Sequence, residues 1–306
     1  MMPHRSWQLT LRWTLVWLLA GALLVAGGTL VQRIRAAQHT PASAAGTQAG
    51  TAGHPGPASR PVTPATLGPV APWVLGAIPL PRRPDGFGVA RSTPPALVNR
   101  RLSTVDLLPP PTSTSFQSTI GPVPPQVLAR STWKPICPVK PEQLRYLTMS
   151  FRGFDARAHT GEMLVNADAA QAVVGVFKRL FAAGFPIEEM RITTEAELKL
   201  PPTGDGNNTN AFVCHQTPGQ TDSSQTQWSA HAYGLAVDLN PFNNPYVKGN
   251  LVVPELASSY LNRDWVRSGM VVEGGVAVTA FESAGWKWGG RWSAPVDFMH
   301  FSANGH

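Results

Sequence analysis

The chain has 306 residues, 43% of them hydrophobic and only 14% charged, enough apolar content to bury a core and to exclude a fibrous or wholly disordered protein. Its formal charge of +7 is uneven: residues 1–129 hold 10 basic and 2 acidic side chains, and residues 130–306 hold 15 and 16. A nearly neutral C-terminal half argues against a nucleic-acid platform, which needs Lys and Arg gathered on the folded face.

Residues 14–31, TLVWLLAGALLVAGGTLV, form an uncharged run of 18 residues with Arg5 and Arg12 before it and Arg33 and Arg35 after it. As a helix it measures about 27 Å, long enough for a membrane anchor. The alternative is a cleaved signal segment, whose apolar region is usually nearer 7–15 residues. Residues 1–35 are therefore read as an anchor or signal segment, and the protein as exported: membrane-bound with an extracytoplasmic domain, or secreted after cleavage.

Residues 36–129 are rich in Pro, Ala and Thr with no sustained period of 2 or 3.6, and 21 of the 30 prolines fall between Pro41 and Pro141. This predicts a largely disordered tether, with local docking of apolar pieces such as Trp73–Leu80 left open. Its cations, Arg82, Arg83, Arg100 and Arg101, are read as solubilising or as facing anionic lipids or wall polymers.

Residues 130–306 are expected to fold as a single α+β domain with an antiparallel sheet and flanking helices. Residues 142–154 read as a helical turn entering a strand. Asn166 caps a helix whose Ala169, Val173, Val176, Phe177, Leu180 and Phe181 make one apolar stripe, and Gly184 ends it. The segment IEEMRIT after Pro186 reads as a strand. Cys137 and Cys214 both lie in this half, and export permits them to pair as a disulfide. Cys214 beside His215 as nucleophile and base is the weaker alternative, because adjacent residues on an extended chain face opposite ways.

The segment WSAHAYGLAVDLNP carries the chemistry. On a strand over 235–240, Leu235, Val237 and Leu239 face a core, and Asp238 faces a cleft. His231 is seven residues earlier, an offset that sends it to the other face unless Gly234 breaks the strand. Near the C-terminus, Asp297 and His300 are three apart, with Pro295 displacing Asp297 from a regular ladder. Two histidines and two aspartates set among apolar strands are costly unless they pair or hold a cation.

These motifs, Ser229-x-His231-x-x-Gly234-x-Ala236-x-Asp238 and Asp297-x-x-His300, resemble the VanY-like zinc D-alanyl-D-alanine carboxypeptidases, relatives of the L-alanyl-D-glutamate endopeptidases. Trp286-x-Trp288-Gly289-Gly290, FRGFD and HTGE support the resemblance, which spans about 130–306. It implies one Zn²⁺ held by His231, Asp238 and His300, with Asp297 as general base where the best-known members have Glu. Two imidazoles and one carboxylate leave a tetrahedral zinc one open position, where water is activated towards a pKa of about 7. The implied substrate is the peptidoglycan stem peptide, cut most simply at its terminal D-alanine. Endopeptidase cleavage and a non-catalytic wall-binding module are the alternatives. Ser229 either contacts substrate or shapes the turn before His231, and Arg152 either holds a substrate carboxylate or lies on the surface. Trp286, Trp288 and Trp292 line the cleft or fill the core. His215 stands where similar sequences have Arg, and His159 reads as structural. A monomer is expected.

Overall fold

The computed structural model describes residues 73–217 and 227–305. The described residues all belong to one compact unit. The expected anchor over 14–31 and the first part of the tether lie outside the described residues. Among the described residues, no helix is long and apolar enough to cross a membrane.

In chain order the helices and strands are α1 (Pro95–Val98), β1 (Ser118–Gly121), α2 (Pro125–Arg130), β2 (Leu144–Arg152), β3 (Ala158–Asn166), α3 (Ala170–Ala182), β4 (Glu189–Met190), β5 (Asn208–Thr209), β6 (Ala236–Asp238), β7 (Tyr246–Lys248), β8 (Leu251–Val253), α4 (Val276–Glu282), β9 (Lys287–Trp288), β10 (Val296–Asp297) and β11 (His300–Ser302). Mixed helix and antiparallel sheet agrees with the expected class. Among the described residues the sheet is divided, however, into three antiparallel groups, β1-β2-β3, β6-β11-β9 and β10-β7-β8, and β4 pairs with β5 in parallel. IEEMRIT contributes only Glu189–Met190 as strand.

Hydrophobic alternation fixes the principal layer. Leu147, Met149 and Phe151 on β2 bury one face, while Thr148 and Tyr146 stay half-exposed on the other. The stripe Val173, Val176, Phe177 and Leu180 of α3 packs against that buried face, while Phe181 meets Phe116 edge-on. Asn166 accepts a hydrogen bond from the Asp168 amide at the start of the short 3₁₀ turn leading into α3, and Gly184 follows the helix with φ 67°. The core continues through ring contacts: Phe177 meets Phe281 of α4 edge-on, and Phe281 stacks on Phe301 of β11 at 4.0 Å. Phe301 sits between His300 and Ser302, so this stack seats the strand that presents His300.

Residues 73–129 differ from the expected tether. Leu80 and Leu97 are buried with Phe242, Tyr260 and Leu256, and β1 pairs along β2. Arg100, expected in solvent, is only 1% exposed. Its guanidinium forms two hydrogen bonds to the Glu188 carboxylate, at 2.7 and 2.6 Å, and one to the Asp205 carbonyl, and it lies 4.4 Å over the Phe242 ring. The Trp73 indole donates to Asp205, Thr104 to the Glu188 carbonyl, and Asp106 bonds His159. Prolines limit what the segment gains from ladder hydrogen bonds, but they also lower the entropy it loses on ordering, so a few deep side-chain anchors hold it. Arg82 reaches the Leu200 carbonyl and Arg83 pairs with Asp85. Cys137 and Cys214 form a disulfide across 77 residues, with Cα atoms 5.9 Å apart.

Candidate metal centre

His231 is placed by a turn. Ser229 caps a 3₁₀ turn over Ala230–Tyr233, its hydroxyl accepting the His231 amide hydrogen at 3.3 Å. Gly234 closes the turn with φ 66°, and a Cβ there would stand 2.6 Å from the Asn166 amide nitrogen. Only glycine meets both demands. The turn is tied to the end of β3 by the Asn166 amide on the Gly234 carbonyl and the Asn166 side chain on the Tyr233 carbonyl. Residues 213–217 run antiparallel to 227–231, so the disulfide at Cys214 lies beside the same turn.

Asp238 and His300 are delivered by strand register. They are directly opposed across β6 and β11. The Leu239 amide bonds the Met299 carbonyl next to them, while the Asp238 amide is turned to Asn210. The Asp238–His300 position is therefore a non-hydrogen-bonded pair of the ladder, where Cα atoms come within about 4.5 Å and side chains project together.

The donors converge as a result. His231 Nε2 is 3.1 Å from His300 Nδ1 and 3.2 Å from Asp238 Oδ1, and His300 Nδ1 is 3.3 Å from the same oxygen. Bonds of about 2.0–2.1 Å to a tetrahedral zinc place ligand atoms roughly 3.3 Å apart, so the residues fit such an ion. His231 Nδ1 faces the Ala211 carbonyl at 2.6 Å, a contact that requires the proton on Nδ1 and leaves the Nε2 lone pair for a metal. Among the described residues, the three side chains form the only cluster of this kind.

Asp297 stands beside them on β10, opposite Tyr246 of β7. Its Oδ1 is buried with no hydrogen-bond partner, as expected of a carboxylate oxygen facing a group supplied from outside the chain. Burial, followed by the negative charge of Asp238, pushes its pKa up to about 7 against the partial relief given by His300 and His231. For Asp238, burial acts upward, but the two imidazoles prevail and hold it well below the usual carboxylate range. Burial alone would lower His231, and the Asp238 carboxylate reverses this to a net rise. His215 packs face to face on His231 at 5.9 Å and is lowered by burial and by His231.

The Asp297 shift gives a stability prediction for chelator-treated protein. A carboxyl whose folded pKa is raised contributes stability below its unfolded pKa, near 3.9, and loses it as pH rises towards 7. Asp297→Asn removes that loss. Thermal melts of metal-free protein should therefore coincide near pH 4 and separate by pH 7–8 with the variant higher; parallel profiles would contradict the buried, unpaired state of Asp297.

The remaining candidates separate. Ser229 shapes the turn, as its cap hydrogen bond shows. Arg152 contacts the Thr114 carbonyl and lies 4.2 Å over the Phe181 ring, not with the donor cluster. Trp292 lies 5.3 Å from the His300 ring and walls the site, whereas Trp286 and Trp288 are in the core. His159 is buried between Asp106 and Asp155. Sequence reasoning missed the Ala211 carbonyl, which has no side-chain signal, and Tyr246, whose proximity to Asp297 arises from strand pairing alone.

A family model described as D-alanyl-D-alanine carboxypeptidase matches residues 222–303. No significant match was found among curated proteins or solved structures. The matched span contains His231, Asp238, Asp297 and His300, and over it the chain is similar to the VanY-like D-alanyl-D-alanine carboxypeptidases.

Proposed function

We propose that the protein is an exported zinc peptidase, tethered by its N-terminal apolar segment and acting as a monomer, that releases the terminal D-alanine of peptidoglycan stem peptides. The observation that carries this reading is the convergence of three metal-competent donors at 3.1–3.3 Å beside the buried, unpartnered oxygen of Asp297. His231 Nε2, Asp238 and His300 Nδ1 would hold the ion. When bound, zinc lowers the pKa of a coordinated water towards about 7 and polarises the scissile carbonyl.

The chain's own groups do the rest. Asp297 takes the proton of the attacking water and delivers it to the leaving amine nitrogen as the C–N bond breaks. A carboxyl poised near neutrality suits both transfers. Asp is one methylene shorter than Glu, and the pairing of β10 with β7 fixes where its carboxylate stands. The Ala211 carbonyl holds the His231 tautomer, and Trp292 shields the side of His300.

Asp297→Ala should keep stoichiometric zinc while turnover falls by about 10²–10⁴-fold, the usual contribution of a positioned acid–base group. Loss of metal in this variant, or unchanged turnover, would remove Asp297 from the role assigned to it. One observation favours an endopeptidase as the second reading: His215, its pKa lowered by burial and by His231, stacks on His231 where the family resemblance implies an Arg, the residue type that would grip a free C-terminal carboxylate bidentately. Mass spectrometry of digested stem pentapeptide separates the two, since free D-alanine marks one and an internal cut the other. A wall-binding module would instead retain sacculi without releasing either product.

A further inference from the structure

The outward face of the β1-β2-β3 sheet carries a groove that the peptide-cleaving site does not use. Its volume is about 350 Å³, within the range of small-ligand sites. It is lined by the three consecutive prolines Pro109–Pro111 and by Thr119, Thr148 and Thr160. These hydroxyls follow from strand alternation: Leu147 and Met149 enter the core from the buried face of β2, so Thr148 and Ser150 project from the other.

No residue lining the groove is charged. A phosphate, carboxylate or ammonium group would therefore meet no counter-charge, and its desolvation would go uncompensated. The polar groups present are hydroxyls, which both donate and accept. Thr119 and Thr148 share one hydrogen at 2.7 Å, so the pair still offers a donor and several lone pairs. The Gln117 amide donates to Ser150 Oγ at 3.0 Å, and the Gln117 side chain is bracketed by Thr112, so the polar edge is fixed in advance. The proline wall has no N–H groups, and its ring-locked backbone sets an apolar surface at little entropic cost. Thr104 and Asp106 pin the preceding residues to the domain, which makes that wall part of the fold. A neutral ligand with hydroxyls on its edge and C–H groups on its face, a pyranose sugar, matches both the hydroxyl and the proline parts of this lining.

We propose that this groove binds neutral N-acetylated sugar units of the wall glycan, so that the domain grips the glycan strand while the metal centre acts on the attached peptide. The inference rests on the function proposed above for its choice of glycan. The test uses the full zinc-loaded chain and a trimer of N-acetylglucosamine, followed by isothermal calorimetry. Thr119→Val combined with Thr148→Val keeps β-branched side chains on both strands and removes two hydroxyls. At about 0.5–1.5 kcal/mol for each hydrogen bond, trimer affinity should fall roughly 5- to 150-fold. Turnover of free stem peptide should not change, and turnover on intact sacculi should drop with trimer affinity. A wild-type chain that ignores the trimer at millimolar concentration, or a variant that binds it equally well, overturns the proposal. So does a variant that loses affinity for free stem peptide, which would make the groove a peptide site. Trimer binding that depends on the threonines, with no cleavage of any stem peptide, supports the groove and overturns the peptidase reading alone.

Discussion

His231→Ala is expected to leave the purified protein without zinc and without turnover. The variant loses the Nε2 donor and also the imidazole that holds the Asp238 carboxylate in its charged form, so a second ligand is compromised with the first. Loss of an outer partner of a metal ligand usually costs 10–100-fold in affinity or activity, and removing a ligand outright must exceed that. The contrast with Asp297→Ala is informative, because that change spares all three donors. Metal content after dialysis, measured beside turnover for both variants, distinguishes holding the ion from using it. Stoichiometric zinc in the His231 variant would contradict the ligand assignment.

Arg100→Ala is expected to destabilise the domain by about 3–5 kcal/mol, the cost of stranding one partner of a buried ion pair. The net worth of an intact buried pair is small because both charges were desolvated. Removing only Arg100, however, leaves the Glu188 carboxylate, 4% exposed, with the Asn207 side chain as its remaining hydrogen-bond donor in place of a cation. The Asp205 carbonyl and the Phe242 ring lose their partner as well. Removing residues 73–129 altogether also deletes Leu80, Leu97 and β1, so a fragment starting at residue 130 should not reach the native fold. Equilibrium denaturation reads both effects. A shift below about 1 kcal/mol for Arg100→Ala, or a cooperative, native-like melt from the fragment, would return this segment to the status of a tether.

These two predictions mark where the sequence was legible and where it was not. The α3 stripe, the Asn166 cap, the break at Gly234 and the outward Asp238 all express local rules, one residue type meeting one backbone requirement, and they appear in the structure where periodicity and turn chemistry put them. The segment 73–129 follows no such rule. Its polar anchors Arg100, Thr104 and Asp106 are isolated side chains in a proline-rich background, and each is decided by a partner between 53 and 160 residues away, such as Asp106 with His159 or the Arg100 amide with Tyr260. Composition averages over those few residues and reads a coil. The site divides in the same way. Its candidate donors could be named from the resemblance their motifs carry, but the register that opposes Asp238 to His300, the carbonyl of Ala211 and the approach of Tyr246 to Asp297 depend on pairing between strands distant in sequence.

The most direct test of the metal centre is anomalous diffraction at the zinc edge from crystals of the full chain. A single peak is predicted about 2.0–2.2 Å from His231 Nε2, His300 Nδ1 and an Asp238 oxygen, with Asp297 adjacent but unligated. A peak bound elsewhere, or a zinc-soaked crystal with no peak among these three residues, would contradict it.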